Sequence, residues 1–315
     1  MKFLVLLAAL LLEQVRPLRP ANIFFKTYES FAHSLRAKFD AGQHTQGVVA
    51  WALGVLPVCM TVFLIDRMLH WMNPLLSLFF GVALMYVIVG FRQFMDCYNE
   101  IHQLLDADDL NGARLRMTQW RGQDSSELTR SEMIGLSIEK SLLQSYRHVF
   151  APLAWYALLG PAGAIFYRAS SALLEHWGSE PLVTETYPTG PLPSEAFVQF
   201  TRRAQLWVDW LPLRLTAMSF AVVGNFQDAA ECWKTQASQW SQPEEGIVLA
   251  SGAGALGMKL GGAIHEFGRI RYRPELGFGE ELTPDCLPSA LGLIWRALVT
   301  WMFLIGVVSL AHSLG

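Results

Sequence analysis

Three long apolar runs in the sequence predict helices that cross a membrane. The runs at 47–65 and 71–91 carry no charge, and the run at 294–312 carries only Arg296. Each is long enough to span a hydrocarbon core of roughly 30 Å. We therefore predict an all-α fold, a polytopic helical bundle in a membrane with amphipathic helices on its cytoplasmic side.

Weaker apolar runs add three further candidate spans. The run at 149–167 is interrupted by Gly160–Pro161, and the run at 206–223 contains Asp209 and Arg214. Charge in lipid is costly, so such side chains are expected to face protein or a watery cavity. The stretch at 2–12 lacks a small-residue cleavage site, which favours a short or tilted helix that is retained over a signal peptide that is removed.

The composition agrees with a membrane protein and excludes several other classes. Hydrophobic residues make up 52% of the chain and charged residues only 16%, so we expect the lipid bilayer as the main partner. The net charge of −3 argues against nucleic acid. The four cysteines contain no C-x-x-C pair, and His148 and His265 have no partners at a ligand spacing. We therefore predict no metal site from these residues.

Lysine and arginine in the connecting segments predict the orientation. The segments 13–46, 92–148 and 224–289 are rich in both residues, whereas the turn at 66–70 has only Arg67. The positive-inside rule then places the three segments in the cytoplasm and Arg67 outside. We treat 1–315 as one membrane domain.

The first cytoplasmic segment contains two short amphipathic runs separated by Asn111–Gly112. Their apolar residues at helical spacing are Ile101, Leu104 and Leu105, then Leu110, Ala113 and Leu115. This pattern predicts a helical hairpin that lies on the membrane bundle.

The stretch SGAGALGMKLGG at 251–262 contains the spacing G-x-G-x-x-G, at Gly252, Gly254 and Gly257. A dinucleotide cradle would need a strand before the glycines and a helix after them, and the flanking residues do not supply both. Lys259 is not followed by Ser or Thr, so a P-loop does not fit either. Small residues for close helix packing are the favoured interpretation.

Several blocks, in order, resemble the CobD/CbiB family of cobalamin biosynthesis. They read GQDS, SIEKSL, VFAPLAWYALLGPAGAIFYRA, WLPLRLTA, AGALGMKLGG and RPELG, over roughly 92–310. The resemblance implies an ATP- and magnesium-dependent synthase that joins adenosylcobyric acid to an aminopropanol or its phosphate. It would make a corrinoid the substrate and ATP and Mg²⁺ the cofactors; the residues alone indicate no cofactor.

The resemblance carries over a small polar set to this chain. Asp124 and Glu139 are the weak catalytic candidates, and the ligand-binding candidates are Arg168, Arg214, Lys259, Gly261 and Gly262. Each also has a structural interpretation. Asp124 lies in a run typical of a helix cap, Arg214 could pair with Asp209 to fix two helices, and Lys259 could be a positive-inside anchor.

Acidic blocks of the family pattern are altered in this chain. Leu143, Gln144 and Arg147 stand where the resemblance implies E-N-x-x-D, Leu174 and Leu206 replace further acids, and Gln242–Gly246 replaces S-P-N-A-G. The run DWLPLRL at 209–215 also resembles AmpE, an inner-membrane protein associated with a β-lactamase response. These resemblances imply a protein of a bacterial inner membrane. Our leading hypothesis is a divergent, non-catalytic member that acts in envelope signalling or binds other membrane proteins; a working synthase is the alternative.

Overall fold

The computed structural model describes residues 2–16, 23–40, 43–178, 194–279 and 282–314 and is mostly helical. The helices, in chain order, are α1 Lys2–Val15, α2 Ile23–Phe39, α3 His44–Met72, α4 Pro74–Ile88, α5 Phe91–Asp106, α6 Leu110–Arg121, α7 Arg130–Ser145, α8 Ala151–Leu159, α9 Pro161–Gly178, α10 Glu195–Val223, α11 Phe226–Gln236, α12 Pro243–Leu256 and α13 Cys286–Leu314. A π-helical turn, Tyr146–Phe150, joins α7 to α8. The prediction of an all-α fold omits one small feature, a hairpin of β1 Ile264–Glu266 and β2 Arg269–Arg271, in which Ile264 pairs with Arg271.

Three of the described helices are long and apolar enough to cross a membrane: Thr45–Met72, Glu195–Val223 and Cys286–Ala311. Only 22% of the apolar window in the first and 28% in the third is buried within the protein. Exposed apolar surface of this extent is typical of a face that contacts lipid. α4 is a shorter apolar helix, and the number of spans and their orientation stay predictions.

Proline sets two helix boundaries that differ from the predicted ones. α3 continues through 66–70, where a turn was expected, and ends only before Asn73. The Asn73 side chain accepts a hydrogen bond from the Leu75 amide at 2.9 Å, and Pro74 begins α4. The run at 149–167 forms two helices, divided at the interruption that the sequence shows, because Gly160 has a φ of +68° and Pro161 starts a new helix.

The chain forms two compact units, each built from separated stretches, and the prediction of one domain over 1–315 stays a prediction. The first unit comprises Met1–Val89 and Ala151–Leu211. Its buried core includes Ala32 of α2, Leu173 and Trp177 of α9, and Phe197 of α10. The indole nitrogen of Trp177 donates to the carbonyl of Ala32 at 3.1 Å, which fixes α9 against α2.

The second unit comprises Gly90–Phe150 and Pro212–Gly315. It contains the predicted helical hairpin as α5 and α6, but the break falls at 107–109, because Asp109 caps α6 by accepting from the Gly112 amide. Ile101 and Ala113 of the hairpin are fully buried, whereas Leu115 is 63% exposed and lies off the packed face. α7 is the most buried polar helix of this unit and begins with a capping box made by Thr129 and Glu132.

Two glycines of 251–262, Gly252 and Gly254, support the packing interpretation. Gly252 and Gly254 lie inside α12, and Gly257 ends that helix in the left-handed conformation. A Cβ on Gly254 would lie 2.6 Å from the carbonyl oxygen of Asp228 and 2.7 Å from the Cα of Ala229, so α11 packs directly on its backbone. A dinucleotide cradle is excluded here, because the glycines end a helix and do not begin one.

Candidate functional site

A polar pocket of about 520 Å³ lies in the second unit. α7, α12 and the segment after β1 supply most of its lining. Five cationic side chains line it: Arg121, Lys140, Arg147, Arg271 and Arg273. Two carboxylates, Glu139 and Glu245, also line it, so the lining has a formal excess of three positive charges. Glu266, which is not a lining residue but pairs with Arg121 and Arg271, lowers that excess to two.

Glu139 and Arg273 form the buried centre of this pocket. The Glu139 side chain is 7% exposed and the Arg273 side chain 12%. Two guanidinium nitrogens of Arg273 donate to the two carboxylate oxygens, at 2.7 and 3.0 Å. The guanidinium also lies over the ring of Trp240, 5.4 Å from its centroid. The two hydrogen bonds to Glu139 and the contact with the Trp240 ring fix the orientation of the Arg273 guanidinium.

Gly261 and Gly262 hold the backbone that carries this pair. Both have positive φ, +84° and +74°, and a Cβ on Gly261 would collide with the carbonyl oxygen of Pro274. The Gly261 amide donates to Glu139 at 2.9 Å, and the carbonyls of both glycines accept from Arg273. The two glycines therefore position Glu139 and Arg273, because the Gly261 amide and both glycine carbonyls are hydrogen-bonded to these side chains. Binding of a ligand by Gly261 and Gly262 stays a prediction.

Lys140 lies next to Glu139 in the chain and has an unusual environment for a lysine. Its ammonium group donates to the carbonyl oxygen of Trp120 at 2.5 Å and lies 5.2 Å from the centroid of the Trp120 ring. Burial, followed by repulsion from Arg121, lowers the pKa of Lys140 from 10.5 to about 8. At neutral pH a small fraction of this amine is uncharged and able to accept a proton.

Positions at which the chain departs from the family pattern meet in the pocket. Leu143, Gln144 and Arg147, which stand in place of an acidic block, all line it. Arg147 donates to Glu245 at 2.5 Å, and Glu245 belongs to another altered block. Two departures from the implied pattern thus form one ion pair, whose side chains are 49% and 22% exposed.

The other residues predicted from the sequence lie away from this pocket. Asp124 is exposed, and its two carboxylate oxygens accept from the amide and the hydroxyl of Ser126, which lowers its pKa. It forms a turn and is not the cap of α7, which is Thr129. Lys259 lies between Gly257 and Gly261, is exposed, and does not line the pocket.

Arg168 and Arg214 lie on α9 and α10. Arg168 contacts Glu175, on the same helix, at 3.4 Å. Arg214 is half-buried on α10 after Pro212. Asp209 is on the same helix, so a pair between Asp209 and Arg214 would not fix two helices, and that structural interpretation is wrong.

His265 has a partner that its position in the sequence does not show. Its Nδ1 lies 2.7 Å from a carboxylate oxygen of Glu132, the residue that completes the capping box of α7. His265 therefore supports the start of the helix that carries Glu139 and Lys140.

The residues of the pocket fit the phosphate groups of ATP better than they fit Mg²⁺. Arginine and lysine bind phosphate oxygens through charge-assisted hydrogen bonds. Magnesium instead needs carboxylate oxygens, and among the described lining residues Glu139 and Glu245 both accept from arginines. Of the two catalytic candidates, Asp124 does not line the pocket, so it adds no carboxylate to Glu139 there.

Sequence reasoning missed Lys140, Arg121 and Arg273 as members of the site. The block SIEKSL places Lys140 beside Glu139, and RPELG begins with Arg273, so both residues stood in blocks already singled out. Arg121 and Arg273 contact Glu266 and Glu139, more than 100 positions away, and spacing along the chain does not show such contacts. Lys140 contacts Trp120, 20 positions away, on a different helix.

Comparison with known proteins gives one consistent result. The family described as "CobD/Cbib protein" matches residues 3–294. The chain is similar to a protein named "Cobalamin biosynthesis protein CobD" from Stutzerimonas stutzeri (strain A1501), 30% identical with 96% of each chain covered. A protein of the same name from Chromobacterium violaceum is 32% identical, with 81% of this chain and 77% of the relative covered. No solved structure matches the chain.

Proposed function

The chain belongs to the CobD/CbiB family, and we propose that it is an amide-forming synthase of cobalamin biosynthesis. The activity that the resemblance implies joins a corrinoid carboxylic acid to an aminopropanol or its phosphate, with ATP as the source of energy. Relatives that share nearly the whole length of the chain and are named for cobalamin biosynthesis favour this activity over the non-catalytic role. The resemblance to AmpE receives no support from these relatives and stays a prediction.

The observation that carries the proposal is the positively charged pocket around Glu139 and Arg273. ATP is anionic, the corrinoid brings a carboxylate, and the phosphorylated form of the aminopropanol carries a phosphate. Arg121, Arg147 and Arg271 provide guanidinium groups that can bind such oxygens in a bidentate way. Arg147 is 49% exposed and Arg271 64%, so both can turn toward a ligand from the mouth of the pocket.

Lys140 is the group that we assign to proton transfer. In amide formation the amine attacks the carbonyl carbon of an acyl phosphate made with ATP, the C–O bond to the phosphate breaks and phosphate leaves, and the amine loses a proton. A base works best when its pKa is near the operating pH, and that of Lys140 is about 8. Its neutral amine would accept this proton, and burial together with repulsion from Arg121 keeps part of Lys140 in that neutral form before the reaction.

A second candidate function, a non-catalytic member that binds an anionic ligand, is favoured by one observation. Both carboxylates of the lining pair with arginines, and an arginine stands where the resemblance implies an acid. Such a protein would keep the pocket and bind phosphate-bearing ligands without turnover.

The test is restoration of cobalamin synthesis in a strain that lacks its own synthase. We expect the wild-type chain to restore it and Lys140→Met to fail, with Lys234→Met as the matched control, because Lys234 is an exposed lysine of α11 outside the lining. Each variant must reach wild-type levels in the membrane. Binding of radiolabelled ATP by purified protein without restored synthesis would establish the second candidate in place of the first.

A further inference from the structure

A second group of reactive side chains lies in the first unit, where two histidines and one glutamate from two helices converge. Glu29 and His33 are four residues apart on α2, and His176 lies near the end of α9. The possible ligand atoms of the three side chains all lie within 4.8 Å of one another. Nδ1 of His176 lies 4.0 Å from Oε1 of Glu29.

The buried core beneath these three side chains fixes the positions of their backbone atoms. Ala32 and Trp177, each next in the chain to one of the histidines, are buried at 0% and 1% exposure. They are joined by the hydrogen bond from the Trp177 indole to the Ala32 carbonyl. The i, i+4 spacing places Glu29 and His33 on one face of α2. The backbones are thus held in register, and only side-chain rotation is free to vary.

We propose that Glu29, His33 and His176 bind a divalent transition-metal ion of the zinc type. Two imidazoles and one carboxylate suit zinc, whereas calcium and magnesium prefer oxygen ligands alone. Bonds of about 2.0–2.2 Å place tetrahedral ligand atoms roughly 3.3 Å apart. The pair of His176 and Glu29 at 4.0 Å exceeds that by about 0.7 Å, and no pair exceeds it by more than about 1.5 Å, a change within reach of rotation of the exposed Glu29 and His33 side chains.

The ligand set also defines what the ion does. Three protein ligands leave the fourth tetrahedral position to water, which agrees with the exposure of Glu29 and His33. The bound ion links α2 to α9, so it stabilises the first unit against separation of these helices. This inference is independent of the pocket in the second unit and of any activity there.

The experiment is titration of purified, tag-free protein in detergent with ZnCl₂ alone, followed by calorimetry and by thermal unfolding. We expect one ion per chain and a rise in the unfolding temperature. His33→Ala and His176→Ala should each weaken binding at least tenfold and remove the rise. His102→Ala is the matched control, because His102 also has an acidic i+4 partner, Asp106 at 3.5 Å, but belongs to no three-ligand group among the described residues.

His33→Ala also separates the proposal from a plain ion pair. His33→Ala leaves the contact between Glu29 and His176 intact. If these side chains form only an ion pair, zinc binding and stability should therefore be the same in His33→Ala as in the wild type. Zinc binding of equal strength in the wild type and both histidine variants would overturn the proposal. So would the absence of saturable binding to the wild type.

Discussion

Removal of the Glu139 carboxylate tests whether the buried ion pair organises the pocket. In Glu139→Ala, Arg273 loses two charge-assisted hydrogen bonds, and the Gly261 amide loses its acceptor. With side chains only 7% and 12% exposed, the guanidinium is left with partial solvation. Loss of one partner of such a pair costs about 3–5 kcal/mol. The carbonyls of Gly261 and Gly262 and the Trp240 ring still contact Arg273, so we expect about 3 kcal/mol.

The measurement is thermal unfolding in detergent, monitored by tryptophan fluorescence. At about 2–4 °C per kcal/mol for a unit of this size, Glu139→Ala should lower the midpoint by roughly 6–12 °C. Glu139→Gln keeps an acceptor for the Gly261 amide and should lower it less. Glu100→Ala is the control: its pair with Arg116 is 54% exposed on the glutamate side and should contribute about 1 kcal/mol or less.

Two outcomes would refute this reasoning. Equal shifts for Glu139→Ala and Glu100→Ala would show that burial does not strengthen the Glu139 pair. A larger loss in Glu139→Gln than in Glu139→Ala would show that shape decides the effect and charge does not.

Three further predictions follow from the same contacts and from the sequence. Burial lowers the pKa of Lys140 from 10.5 to about 8, so between these pH values Lys140 is more protonated in the unfolded chain than in the folded one. As the pH rises through this range, the melting temperature of the wild type should therefore rise relative to that of Lys140→Met. Gly254→Ala should reduce accumulation in the membrane on immunoblots, whereas Gly292→Ala, whose Cβ meets nothing within 4 Å, should accumulate normally. A topology reporter after Asp96 should read cytoplasmic and one after Asn73 periplasmic; the reverse would overturn the orientation.

The runs at 47–65 and 294–312 predicted two of the long helices, α3 and α13, because length and lack of charge determine which segments can cross lipid. The equally apolar run at 71–91 contains only the 15-residue α4, and the third long helix, α10, contains the charged run at 206–223. Boundaries were less predictable. The turn expected at 66–70 is helical, since Asn73 and Pro74 provide a cap and a helix start that the search for apolar runs did not weigh. The break at Gly160–Pro161 was visible as a dipeptide, but only the structure shows that it divides the run into two separate helices.

The candidate site was predictable only where a block of sequence contained it. Glu139 was selected from SIEKSL, and it lies at the centre of the pocket. Asp124 was selected by the same kind of match, yet its side chain is committed to Ser126 in an exposed turn. The group of Glu29, His33 and His176 was not predictable from spacing along the chain, because His176 is 143 residues from His33. Only the packing of α2 on α9 brings them together.

The ion pair of Arg147 and Glu245 bears directly on whether the altered blocks abolish function. Taken one at a time, each substitution removes or adds a charge relative to the pattern that the resemblance implies. Taken together, an arginine that would repel a cation is matched by a glutamate 2.5 Å away, so the local charge is balanced. The pocket has a volume of about 520 Å³ and a cationic lining around this pair, so we expect the substitutions to leave it open to an anionic ligand. This balance is why loss of acidic residues alone is a weak argument for a non-catalytic protein.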